Sequence, residues 1–146
     1  MIERDKMAEI KHYLEINTQP QKVYNALTEQ KGLAGWWTEE TTAEPQVGTI
    51  AEFKFGEYYH NKIKITNLIP DFKVEWECLQ GDEEWVGTNF TFEIDEKNGK
   101  TFLKFTHKNW REATDFFASC NYQWGLYMKS LKDYCETGKG EPYKKG

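Results

Sequence analysis

Long apolar runs are absent from this chain of 146 residues, so no segment is expected to cross a bilayer as a helix. The opening stretch, MIERDKMAEI, puts charges where a signal peptide needs an apolar core, and no leader is read from it. Basic residues are outnumbered, 19 Lys and Arg against 24 Asp and Glu, which leaves a formal net charge of −5. Nucleic acids and anionic membranes both call for a concentrated basic face, so neither is expected as a partner. Cysteine is sparse as well. Cys78, Cys120 and Cys135 are odd in number and far apart, which argues against a disulfide framework and against zinc or redox spacing. Reduced thiols and a cytoplasmic location are the expectation. There is no Gly-rich phosphate loop, nucleophile elbow or His-Glu-x-x-His pair, so no cofactor, metal or catalytic residue is assigned. Internal repeats and linkers are lacking too, and residues 1–146 read as one domain. Its core covers about 8–138, and the tail 139–146, with Lys139, Lys144 and Lys145 among glycines, is expected to be flexible.

What the chain has in quantity is rings: six Trp, eight Tyr and nine Phe. Many sit in period-two patterns. Ile10, His12, Leu14 and Ile16 alternate with Lys11, Tyr13 and Glu15, as in a half-buried strand. The same alternation recurs at Ala51–Phe55, at Ile63 and Ile65, at Val74–Cys78, at Val86–Ile94 and at Leu103–His107. Pro70-Asp71, Gln80-Gly81-Asp82 and Lys97-Asn98-Gly99 supply turns between them. After the first strand, NTQPQKVYNALTE reads as a short helix capped by Asn17 or Thr18, with Pro20 in its first turn. Lys31–Trp37 reads as a second short helix.

From Thr114 to Glu136 the periodicity changes. Phe117, Cys120, Trp124, Tyr127, Met128, Leu131 and Cys135 recur at three- and four-residue steps, the stripe of a long amphipathic helix with Thr114 as cap and Gly138 as stop. Clean alternation implies an antiparallel sheet with one apolar face, and this helix is the segment long enough to cover it. The expected fold class is α+β: a curved six-stranded antiparallel sheet gripping a long C-terminal helix, with two short helices after the first strand.

Three segments then carry a family likeness: Pro20-x-x-Val23-Tyr24-x-Ala26-Leu27-Thr28 with Gly35-Trp36-Trp37-Thr38; Phe105-Thr106-His107; and Trp124-x-x-x-Met128-x-x-Leu131-Lys132-x-Tyr134-x-Glu136-Thr137-Gly138. Over roughly residues 8–138 the chain resembles the START-like helix-grip superfamily of polyketide-cyclase-like domains. Within it, the chain looks most like the branch named for homologues of the activator of the 90-kDa heat-shock chaperone's ATPase. Gln123, where many members have Gly, and Cys135, where Leu is usual, depart from the pattern. The resemblance implies a cavity between sheet and helix that holds an apolar or amphipathic small molecule. It also raises a chaperone or other protein partner, a homodimer, and cyclase or dehydratase chemistry as alternatives.

The candidate cavity wall is the inward set Trp37, Phe53, Phe55, Ile65, Trp76, Phe90, Phe92, Phe105 and His107, with Trp124, Tyr127 and Met128 from the helix. These rings could instead fill the interior at native packing density. Trp36 and Trp37 point in different directions in any regular structure, so both close the core, or one lies at the cavity mouth. His107 is the polar residue of interest, as a ligand hydrogen-bonding group, as an acid or base near neutral pH, or as a core histidine satisfied internally. Arg111 could meet a ligand carboxylate or pair with Glu112 or Asp115. A thiol–imidazole couple of Cys78 and His107 is conceivable by parity alone. His60, in the stretch Tyr58-Tyr59-His60-Asn61, reads as an exposed turn residue.

Overall fold

The alternating stretches become strands that join one antiparallel sheet. A computed structural model describes residues 7–145. In chain order the elements are β1 (Ala8–Ile16), α1 (Pro20–Thr28), α2 (Gln30–Trp36), β2 (Glu40–Thr42), β3 (Ile50–Phe55), β4 (Tyr59–Ile69), β5 (Lys73–Gln80), β6 (Asn89–Lys97), β7 (Lys100–Trp110) and α3 (Asp115–Thr137). The strand order is β1-β7-β6-β5-β4-β3-β2. Register shifts in the β1–β7 and β4–β5 pairs mark irregularities that bend the sheet. Among the described residues, no helix is long and apolar enough to cross a membrane.

The architecture is the α+β helix grip, with seven strands where the alternation predicts six. The extra one, β2, is three residues of Glu, Thr and Thr paired to β3. Three residues are too few to display a period, and only Thr41 of them is buried. The fifth expected strand, which becomes β6, also starts later than its pattern implies. Val86 is exposed in a turn, and the inward set begins at Thr88, one turn closer to β6.

The helix α3 presents Cys120, Trp124, Met128, Leu131 and Cys135 to the sheet. Thr114 Oγ1 accepts from the Phe117 N–H at 3.1 Å, capping its start. At its end Gly138 takes φ 87°, and its N–H donates to the Tyr134 carbonyl. The cap of α1 differs from expectation. Gln19 holds that position without a side-chain bond, while Pro20 opens the helix. Asn17 and Thr18 are used elsewhere: the Asn17 N–H donates to Glu136 Oε2 at 2.7 Å, and the Thr18 carbonyl accepts from Thr101 Oγ1 at 2.6 Å. These bonds tie the end of β1 to α3 and β7. Between α1 and α2, Gly32 lies so close to α1 that a Cβ there would fall 2.6 Å from Ala26 Cα.

The tail expected to be flexible runs back across the domain. The Tyr143 N–H donates to the Trp37 carbonyl, and the Tyr143 carbonyl accepts from the Glu39 N–H. Ser130 Oγ, on α3, accepts from the Glu141 N–H at 2.7 Å and donates to the Trp36 carbonyl at 2.8 Å. The tail is therefore held by backbone bonds to the segment that carries the paired tryptophans. A hydropathy pattern does not register such bonds, because they involve no apolar side chain.

Candidate functional site

The paired tryptophans stay close, their rings 6.0 Å apart and 17° from parallel, yet they meet different neighbours. Trp36 is fully buried between α1 and α3, and its Nε1–H donates to the Ala26 carbonyl at 2.8 Å. Trp37 turns to the sheet side and becomes the hub of a ring cluster, 4.5 Å from Phe53, 5.3 Å from Trp124 and 6.0 Å from Trp76 between centroids. Phe92, Phe105, Phe90 and Trp76 continue this cluster, all four rings buried and each within 6 Å of another.

At one end the filling fails. A cavity of about 260 Å³ opens between the first half of α3, the β3–β4 turn and the β5–β6 connection. Helical spacing aligns Phe116, Cys120, Trp124 and Tyr127 along one wall, with Ser119 and Gln123 beside them. The β3–β4 hairpin contributes Phe55, Tyr58, Tyr59 and Asn61, and the β5–β6 connection contributes Asp82 and Trp85. Trp37 forms the floor, and Tyr143 of the C-terminal segment completes the rim, its ring 5.5 Å from Phe55.

Of the twelve candidate lining residues, four reach this cavity: Trp37, Phe55, Trp124 and Tyr127. The other eight, Phe53, Ile65, Trp76, Phe90, Phe92, Phe105, His107 and Met128, are buried in the packed layer behind it. Inward parity selects residues that face the helix, yet α3 lies directly on most of them. The cavity lies instead at the end of the sheet that holds the β3–β4 turn and the β5–β6 connection.

His107 shows this most clearly. It has no exposed surface, and both ring nitrogens are engaged. The Trp124 Nε1–H donates to His107 Nδ1 at 3.1 Å, so the proton of the neutral ring belongs on Nε2. Nε2 then donates to Thr88 Oγ1 at 2.8 Å, and Thr88 passes its own proton to the Trp85 carbonyl at 2.6 Å. Burial holds the imidazole well below its ordinary pKa, since the charged ring would lose its hydration. The histidine is a strut that orients Trp124 and the Trp85 turn, and it presents no nitrogen to the cavity.

The other polar candidates are likewise committed. Arg111 donates to the Glu83 carbonyl at 2.7 Å and to the Val86 carbonyl at 3.4 Å, and bonds neither Glu112 nor Asp115. Thr114 Oγ1 donates to Glu84 Oε1 at 2.6 Å, so the β5–β6 connection is clamped from both β7 and α3. His12 meets Asn121 Oδ1 at 3.0 Å, and His60 meets Glu52 Oε1 at 2.7 Å. The Cys78 thiol, raised to about 12 by burial, bonds the Gln80 carbonyl, and no thiol–imidazole couple forms. Among the described residues no group of three or more His, Cys, Asp or Glu is placed to hold a metal ion.

The cavity's own electrostatics are acidic. Among the described residues no Lys, Arg or His lines it, whereas Asp82 does. Burial pushes the Cys120 thiol up to about 11; Asp82 and Glu84 add to that, and the Trp85 indole N–H opposes it. That N–H is buried and makes no hydrogen bond of ordinary geometry. Burial likewise raises the Tyr127 hydroxyl, and Tyr59 is raised by burial and by the charge of Asp82. Tyr58, Tyr59, Asn61, Asp82, Trp85 and Tyr143 are lining residues that reading the sequence missed. Asn61 has a signal, since it shares parity with Ile63 and Ile65; the sequence reads as a turn there, whereas the turn ends three residues earlier, at Tyr58.

The family profile described as activator of Hsp90 ATPase homolog 1-like protein matches residues 17–136. The solution structure of the Aha1 dimer from Colwellia psychrerythraea superposes with a TM-score of 0.83 at 40% sequence identity, covering 92% of this chain and 100% of that one. Protein MLL2253 from Mesorhizobium loti gives 0.77 at 15% identity, covering 86% and 95%. Protein SSP2350 from Staphylococcus saprophyticus gives 0.76 at 16% identity, covering 92% and 96%. The last two likenesses concern the fold alone. No curated protein matches the chain.

Proposed function

This chain belongs to the family of activator of Hsp90 ATPase homolog 1-like proteins, and on that premise we propose that it binds a small apolar or amphipathic molecule in the cavity beside α3. The observation that carries the reading is the local failure of packing. An interior otherwise closed by interlocked rings leaves about 260 Å³ open at one end, walled by aromatic side chains. Burying roughly 300 Å² of ligand surface at about 25 cal/mol per Å² contributes about 7 kcal/mol. Lost rigid-body freedom removes at least about 4 of that, so micromolar affinity needs a close fit plus one or two directed hydrogen bonds. Native mass spectrometry of freshly purified protein, with melting curves across a panel of apolar and amphipathic compounds, tests it. Absence of both a retained molecule and any rise in melting temperature refutes the reading.

Two further readings have their own support. The relative from Colwellia psychrerythraea was solved as a dimer, which favours a homodimer here; light scattering across a concentration series checks it, and a monomer throughout removes it. The family description favours contact with a chaperone, and a pull-down that shows no binding and no change in ATPase rate dismisses that. Cyclase or dehydratase chemistry with His107 as base loses its support, because both ring nitrogens are spent inside the core. Three unpaired, buried cysteines fit a reducing compartment, and we place the protein in the cytoplasm on that ground.

A further inference from the structure

Within the cavity two polar groups stand without a protein partner, the Trp85 indole N–H and the Asn61 carboxamide. Asn61 is 3% exposed and lines the cavity, yet among the described residues its carboxamide makes no hydrogen bond. Among the described residues the fully sealed side-chain atoms without a partner are Trp85 Nε1 and Trp110 Nε1, so the Asn61 amide atoms meet the open space of the cavity. Its place is built by the backbone. Asn61 follows the β3–β4 turn on the inward face of β4, and its Oδ1 lies against Gly81, where a Cβ would fall only 2.5 Å away. That leaves the Nδ2–H side to meet a ligand oxygen.

The charge of the surroundings narrows the ligand. Asp82 lines the same cavity and, among the described residues, no cationic side chain does, so a bound carboxylate or phosphate would be desolvated without a counter-ion there. Rings on every side suit a flat molecule. We propose that the Asn61 carboxamide is the polar anchor of this site, and that the ligand it holds is an uncharged, ring-bearing molecule with a carbonyl or amide oxygen. The inference rests on the cavity being a binding site and adds which atom anchors the ligand and which charge class is refused.

The test uses four probes of one shape: naphthyl methyl ketone, isopropylnaphthalene, naphthoate and naphthyl-trimethylammonium. Each is titrated into the full chain and followed by NMR at the Trp indole N–H resonances. The ketone is expected to bind about tenfold more tightly than the hydrocarbon, as one well-placed hydrogen bond allows. Naphthoate is expected to show no saturable binding, and the ammonium probe to bind more weakly than the ketone. Asn61→Leu should remove the ketone's advantage, bringing the ratio of ketone to hydrocarbon affinity within the same variant to about one. Asn61→Asp, which keeps the shape, should also weaken the ketone by facing its oxygen with a carboxylate. Equal affinities for ketone and hydrocarbon in the unmodified chain, tightest binding by either ion, or an unchanged ratio of ketone to hydrocarbon affinity in a folded variant overturns the inference and leaves the cavity as a binding site. Binding by none of the four overturns both. Should Asn61→Leu fail to fold, the ranking in the unmodified chain decides alone.

Discussion

Replacing His107 by Gln isolates what a buried neutral imidazole does to stability. The ring has no exposed surface, and its pKa lies well below the ordinary value near 6.5 because burial disfavours the charged form. The sign follows directly. Above pH 6.5 the ring is neutral in both folded and unfolded chains, and its contribution is constant. As pH falls below 6.5 the unfolded chain takes up a proton that the folded chain refuses, so stability is lost from there down toward the folded pKa. One pH unit below the unfolded pKa, at pH 5.5, the loss is about 1.4 kcal/mol. Gln does not titrate, and it leaves the Trp124 N–H without its acceptor, at a cost of about 3 kcal/mol when the lost packing is included. Urea unfolding of both proteins at pH 7.5, 6.5 and 5.5 should therefore show a gap of about 3 kcal/mol that shrinks to roughly half at the lowest pH. His12 and His60 remain in both proteins and cancel in the difference. A gap that stays constant across this range would mean that the imidazole is not held neutral, and the proton assignment along Trp124, His107 and Thr88 would fall with it.

Other perturbations read other parts of the fold. Gly32→Ala should destabilise by about 2 kcal/mol in thermal or urea melts, since its Cβ would meet the Ala26 backbone at 2.6 Å and backbone yields poorly. Thr114→Ala removes the α3 cap and the bond to Glu84, and should cost about 1 kcal/mol by the same measurement. The Cys78 and Cys135 thiols, raised to about 12, and Cys120, raised to about 11, should resist alkylation at pH 7.5 in the folded chain and react in denaturant, as counted by mass spectrometry. Protection of Cys120 should rise further when the cavity is occupied, because that thiol lines it.

The architecture was largely legible in the sequence because its elements follow local periods. Alternation marked β1, β3, β4, β5, β6 and β7, and the three- and four-residue steps marked α3 with both of its caps. The strand that escaped, β2, is too short and too polar to have a period. The site was less legible. Parity tells which residues face inward, and Phe90, Phe92, Phe105 and His107 do so. Whether an inward residue meets the helix or a void depends on where the sheet departs from α3, and that is decided by bulges and turns far apart in the chain. Trp85 and Asp82 lie in the β5–β6 connection, which reads as a solvated acidic turn until Arg111 and Thr114 are seen clamping it. Tyr143 reached the cavity through backbone bonds to Trp37 and Glu39.

That last attachment has a practical side. The family profile ends at residue 136, so a boundary drawn from it would discard the segment whose Tyr143 closes the rim. A purification handle or reporter fused after Gly146 would likewise begin three residues from that ring, close enough to prop the rim open or to occupy the hollow itself. Handles for ligand screening therefore belong at the other terminus, and compounds that bind only when the C-terminal fusion is absent should be read as competing with the handle.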